Sequence, residues 1–193
     1  MTFFTPRAGD ALLVIDMQND FLPGGALAVP GGDALIPGIN RLMHSSFDAI
    51  IASQDWHPAN HTSFKEQYGQ WPAHCIAGTH GAALHKELHQ VPISHIIHKG
   101  MRAKAECYSA FADESGASTG LSGLLTGLGI RRVVLCGVAL DYCVRASALD
   151  SLNAGFETVV LTNLCAAIGE QKPLLQAMQS DGLTLLEAKE RLS

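Results

Sequence analysis

Short, nearly uninterrupted apolar runs recur along the chain, with helix-like stretches between them. Residues 11–15 read ALLVI, 49–53 AIIAS, 95–98 HIIH, 132–138 RVVLCGV and 157–161 ETVVL. Each is short enough for a strand, and most lack the polar alternation of a strand with one wet face. Strands buried on both faces belong to parallel sheets. Parallel neighbours need crossovers, which lay helices over the sheet. The intervening segments supply them. A helix is expected over 34–47, with Asp33 as a candidate cap and Pro37 limiting its first turn. Further helices are expected over 120–129, 142–154 and 172–180, with Gly155 as a stop, and a last short strand over 183–185. The expected fold is an α/β three-layer sandwich with a mostly parallel central sheet flanked by helices on both faces. No internal repeat or low-complexity segment interrupts the 193 residues, so the chain reads as one domain over 1–193.

In an open parallel sheet the ligand crevice lies beyond the carboxyl ends of the strands. Asp16, Asp55, Lys99 and the segment leading to Cys143 all fall at or just after such an end. This shared location is the main argument for an active site. Residues 56–81 contain Pro58, Pro72, Gly69, Gly78 and Gly81. So long an irregular stretch inside a compact domain is usually functional.

Each of these residues has a specific chemistry and a bland alternative. Cys143 opens the helix expected over 142–154. Free N–H groups and a partial positive charge at a helix start lower a thiol's pKa and can receive an oxyanion. Alternatively it is one of several buried structural cysteines. Asp16 could exchange a proton with that thiol and with a leaving amine, or simply terminate a strand. Lys99 could hold Asp16 by charge, or be an ordinary solvated lysine. Asp55 and His57 are two residues apart, so in extended backbone they face one way. His74 arrives from the irregular loop. One carboxylate and two imidazoles with positions left open suit zinc, iron or manganese. His61 follows His57 by four residues, but Pro58 disfavours a helical pair. His85 and His89, four apart on an expected helix, read as a solvated face. His44, His80 and His95 receive no role.

Composition removes other classes. The net charge is -5, which disfavours a nucleic-acid partner. No basic–apolar leader and no run of roughly 18 apolar residues occurs, so a soluble, cytoplasmic protein is expected, with no membrane partner. Five cysteines without a C-x-x-C are not a disulfide framework. P-loop and dinucleotide fingerprints are missing.

Taken together, the chain resembles the nicotinamidase (pyrazinamidase) branch of the isochorismatase-like cysteine hydrolases. The resemblance rests on D16-M-Q-N-D-F21, S53-Q-D-W-H-P58, W71-P-A-H-C75 with G78-T79, K99-G100 and G137-V-A-L-D-Y-C-V-R145, in the family's order. It implies a catalytic triad of Asp16, Lys99 and Cys143, and an oxyanion hole from the N–H groups of Ala139 and Cys143. It implies a cis peptide between Val138 and Ala139. Asp55, His57 and His74 would hold one divalent ion, zinc first and iron or manganese as alternatives, with His61 or Ser63 near its shell. Phe21, Trp71 and Tyr108 would wall a flat pyridine ring. Leu140, where the family often has Thr, and Asn163, where an acidic residue is common, depart from the pattern.

The implied activity is hydrolysis of nicotinamide to nicotinate and ammonia through a cysteine thioester, extending to pyrazinamide. A homo-oligomer is left open. The rivals are an isochorismate- or N-carbamoyl-type hydrolase of the same superfamily, a non-catalytic metal-binding protein on this fold, and a thiol–disulfide oxidoreductase. The last is disfavoured because Cys143 has no resolving partner nearby.

Overall fold

The computed structural model describes residues 3–189. Six strands form one sheet: β1 (Asp10–Ile15), β2 (Ala49–Asp55), β3 (His95–Lys99), β4 (Arg132–Val138), β5 (Glu157–Ala166) and β6 (Thr184–Leu186). Their order is β3-β2-β1-β4-β5-β6, and every adjacent pair is parallel. The helices are α1 (Ile36–Leu42), α2 (Leu121–Gly127), α3 (Arg145–Asn153) and α4 (Gln171–Ser180).

The apolar runs work as their composition requires. β1, β2 and β4 are buried along their whole length. Because successive side chains point to opposite faces, the strands feed two separate cores. Leu12, Val14, Val134 and Val159 pack with Ile36, Ile39 and Leu42 of α1. Ala11, Leu13, Ile15, Val133 and Leu135 pack with Leu121 and Leu125 of α2, Ala148 of α3 and Met178 of α4. The sheet thus carries α1 on one face and the other three helices on the opposite face, the sandwich expected.

Several boundaries differ from expectation. The first helix is shorter: a 3-10 turn (Asp33–Leu35) precedes α1, and no side chain caps either element, so Asp33 is not the cap. The helix expected from residue 142 splits into a π-helical turn (Leu140–Val144) followed by α3. It stops as expected, with the N–H groups of Gly155 and Phe156 returning to the carbonyls of Leu152 and Ser151. β2 and β5 run further than their apolar cores, to Asp55 and Ala166. Residues 81–90 hold turns and one isolated bridge, so His85 and His89 do not share a helix.

The strand order reverses direction between β1 and β4. That is the switch point where open α/β sheets bind ligands. Asp16 leaves the end of β1 and Ala139 leaves the end of β4, so the two candidate catalytic segments emerge side by side. Gly137 makes this approach feasible, since a Cβ there would collide with the Ile15 carbonyl oxygen.

Candidate active site

Asp16 is fully buried and takes a left-handed backbone conformation, φ 49°. Such a value is uncommon outside glycine, with Asp among the more tolerant residues. One oxygen, Oδ1, accepts a 2.6 Å hydrogen bond from Ser53 Oγ. The other, Oδ2, lies 2.9 Å from Lys99 Nζ, in ion-pair contact, yet receives no aligned hydrogen bond. Lys99 ends β3 with its ammonium buried among Asp16, the Asp55 carboxylate at 2.5 Å, the Cys107 carbonyl at 3.2 Å and the Cys143 sulfur at 3.5 Å. Ligand atoms of Asp16, Asp55 and Cys143 all lie within 4.8 Å of one another. The three residues read from separate strand ends therefore converge.

One ammonium serves two carboxylates, and their acidities separate. Burial pushes the Asp55 carboxyl up, but Lys99 and His57 outweigh it and hold the group well below the usual carboxylate range. Burial pushes the Asp16 carboxyl up as well, and with the Asp55 charge it prevails over Lys99, leaving a net upward shift. Two neighbouring carboxylates with opposed acidities divide their tasks: Asp55 stays charged, whereas Asp16 can hold and release a proton. Lys99 stays cationic, since its two carboxylate partners overcome the cost of burial.

The thiol departs from expectation. Cys143 lies inside the π-helical turn, ahead of α3. Burial drives its pKa well up, Lys99 pulls it down, and the Asp16 and Asp55 charges add to the rise. Burial thus opposes the lowering of the thiol pKa that a helix start would give. A neighbouring base has to remove its proton. The Val138–Ala139 peptide bond is cis, as the resemblance implies. Leu140 is fully buried in the core beneath the turn and does not reach the pocket.

A second cluster adjoins the first. His57 Nε2 and His74 Nε2 lie 3.4 Å and 4.0 Å from Asp55 Oδ2. Each ring faces a carbonyl with its other nitrogen: His57 Nδ1 meets Gly100 O at 2.9 Å, and His74 Nδ1 meets Pro72 O at 2.7 Å. A carbonyl only accepts, so both Nδ1 atoms carry a proton, and both Nε2 atoms are left facing the same carboxylate, where an ion would meet them as acceptors. This is how proteins orient imidazoles for a cation, and the donor set fits a divalent metal. His61 is excluded from the set. Its Nδ1 meets Ser63 Oγ at 2.7 Å and its Nε2 meets Ala105 O at 3.0 Å. Burial lowers its pKa to about 4, so it is a neutral ring packed at a tilt against His57, 4.1 Å between centroids.

A cavity of about 390 Å³, counting its open mouth, joins the two clusters. Cys143 and Ala139 from the first cluster and Asp55 and His74 from the second all line it. Phe21, Trp71 and Tyr108 all line it, as expected. Trp71 Nε1–H donates to the Tyr108 hydroxyl at 3.0 Å, and Trp71 packs edge-on against Tyr142.

Sequence reasoning passed over several supports. Gln18 grips the Asp55 backbone from both sides: its Oε1 accepts from Asp55 N and its Nε2 donates to Asp55 O, both at 2.8 Å. Asp20 accepts from Cys75 N at 2.7 Å and so fixes the loop behind His74. Phe64, buried, touches the rings of His57, His61 and His74. Gln18 and Asp20 stood within the D16–F21 motif. Tyr142, which lines the cavity, likewise stood within the G137–R145 motif, whereas Phe64 and Glu106, the latter also a lining residue, carried no signal of spacing.

Such a site on such a sheet is that of a cysteine hydrolase of the α/β type. Comparison with known proteins narrows the class. Residues 10–190 match the isochorismatase domain, and the chain belongs to the isochorismatase family. It is 42% identical over 180 residues to the nicotinamidase of Escherichia coli K12, covering 83% of this chain and 84% of that one. The structure of PnC1 from L. infantum in complex with nicotinate superimposes with a TM-score of 0.93 at 44% identity, covering 96% of both chains. The pyrazinamidase of Pyrococcus horikoshii in complex with zinc gives 0.82 at 41% identity, covering 93% of this chain and 99% of that one.

Proposed function

We propose that the chain, as a single hydrolase domain, is a nicotinamidase that converts nicotinamide to nicotinate and ammonia and also accepts pyrazinamide. The observation that carries this reading is the shared cavity. A buried thiol with its own base opens onto the same slot as an Asp–His–His set, and Asp55 belongs to both clusters. The relatives' names support the substrate class.

Asp16 takes the Cys143 proton on Oδ2, the oxygen left without a hydrogen bond. Lys99 keeps that carboxylate in place and offsets negative charge gathering beside it. The sulfur attacks the carboxamide carbon, and the N–H groups of Ala139 and Cys143 receive the oxyanion. The C–N bond then breaks as Asp16 returns the proton to the departing ammonia. Water, deprotonated by Asp16, cleaves the thioester and frees nicotinate. Asp55, His57 and His74 would hold one divalent ion, zinc by preference, which when bound supplies an anchor for the ring nitrogen. Phe21, Trp71 and Tyr108 flank the flat ring. Cytoplasmic residence belongs to the same reading, supported by five buried, unpaired cysteines. Among the described residues no helix is long and apolar enough to cross a membrane.

Ammonia release from nicotinamide, pyrazinamide, benzamide and an N-carbamoyl amino acid tests the proposal. Turnover of the first two with failure of benzamide, which lacks the ring nitrogen, is expected. Turnover confined to the N-carbamoyl compound would overturn it.

A further inference from the structure

Ile168 is the one exposed residue among those lining the cavity, at 40% relative exposure. Its side chain is both part of the cavity wall and open to solvent, which places it at the mouth. Its backbone is fixed from within the site. Asp141, two residues before Cys143, accepts hydrogen bonds from Ile168 N at 3.1 Å through Oδ1 and from Gly169 N at 2.8 Å through Oδ2. One carboxylate thus ties the nucleophile's turn to the loop between β5 and α4.

We infer that Ile168, held by Asp141, is a specificity-determining lip that limits which ring-substituted pyridine carboxamides enter. The inference rests on the nicotinamidase reading, because that reading fixes the ring's orientation. The ring nitrogen and the carboxamide-bearing carbon flank C2, and both are directed at the buried end by the Asp–His–His set and by Cys143. C2 therefore faces the floor, and C5, across the ring, faces the mouth. A substituent on C5 meets Ile168, with Leu27 and Tyr142 as the neighbouring lining residues. Asp141 is a positioning residue: it acts through the loop and touches no substrate.

The experiment compares kcat/KM for ammonia release from nicotinamide and from 5-methylnicotinamide, using metal-loaded wild type, Ile168→Ala and Asp141→Asn. The ratio of the two substrates is the readout, because damage to folding or to the nucleophile's turn scales both alike. The wild type is expected to disfavour the methylated amide by about tenfold or more, the worth of one methyl group in a tight apolar site. Ile168→Ala should bring the ratio to within about threefold of unity. Asp141→Asn, which sets an amide N–H against a backbone N–H, should move it in the same direction with Ile168 intact. A wild type that turns over both amides equally, or an Ile168→Ala ratio unchanged from wild type, overturns the lip. A wild type inert toward nicotinamide defeats the function reading itself.

Discussion

β1 carries a fully buried aspartate at its first residue, Asp10, and another just past its last, Asp16. They could hardly be treated more differently. Asp10 is saturated: Arg132 grips it with Nε at 2.8 Å and Nη2 at 2.6 Å, and Arg7 N adds a third bond at 2.8 Å. Asp16 has one hydrogen bond from Ser53, shares its only cation with Asp55, and keeps one oxygen without an aligned donor. The amino end of the sheet uses a carboxylate as an anchor, and the carboxyl end leaves one short of partners. A buried polar group left under-bonded costs free energy, and at Asp16 that cost leaves a lone pair free to take a proton.

Substitutions at the two ends should separate these roles. Asp16→Asn should lower kcat/KM for nicotinamide by about a thousandfold or more, while thermal unfolding shifts stability by less than about 1 kcal/mol. Burial already disfavours that charge, and Lys99 keeps the Asp55 carboxylate as its partner, so its removal costs little. Asp10→Asn should do the reverse. It leaves the Arg132 guanidinium with only the Thr5 carbonyl and the half-exposed Glu157 carboxylate, which costs about 3 kcal/mol in denaturant unfolding. Turnover per folded molecule should stay within about twofold of wild type, given how little a distant site couples. A stability loss at Asp16 as large as at Asp10 would erase the distinction.

A smaller effect sharpens it. Gly100 follows Lys99 with φ 66°, and a Cβ there would overlap the His57 ring. Gly100→Ala should tilt that ring off its carbonyl and weaken metal binding about 10- to 100-fold, measured by competition with a chelator, and should also lower the unfolding midpoint, because alanine is strained at a positive φ. Unaltered metal affinity would show that His57 does not depend on the Gly100 carbonyl.

Much of this was legible in the sequence, for identifiable reasons. Runs such as ALLVI and RVVLCGV could only be strands buried on both faces, so the parallel sheet followed. A parallel sheet then fixed where Asp16, Asp55, Lys99 and Cys143 had to stand. The Asp55–His57 pair was readable because extended backbone alternates. The acidity of Cys143 was not, because it depends first on burial, then on Lys99 and on two carboxylates brought in from the ends of β1 and β2. His61 was ambiguous for a related reason: its partners, Ser63 and the Ala105 carbonyl, decide its role, and the second lies 44 residues away. Asn163 also acquires a purpose only in three dimensions, bonding both ways with the Ala188 backbone at 2.8 and 2.9 Å.

The central claim is that the sulfur of Cys143 becomes acylated by the substrate. Rapid acid quench of the metal-loaded enzyme with nicotinamide, followed by peptide mass spectrometry, tests it directly. The account predicts a nicotinoyl group on the peptide containing Cys143, and a Cys143→Ala variant that keeps its metal but releases no ammonia. Ammonia release by that variant at the wild-type rate, with no acylated peptide in the wild type, would contradict it.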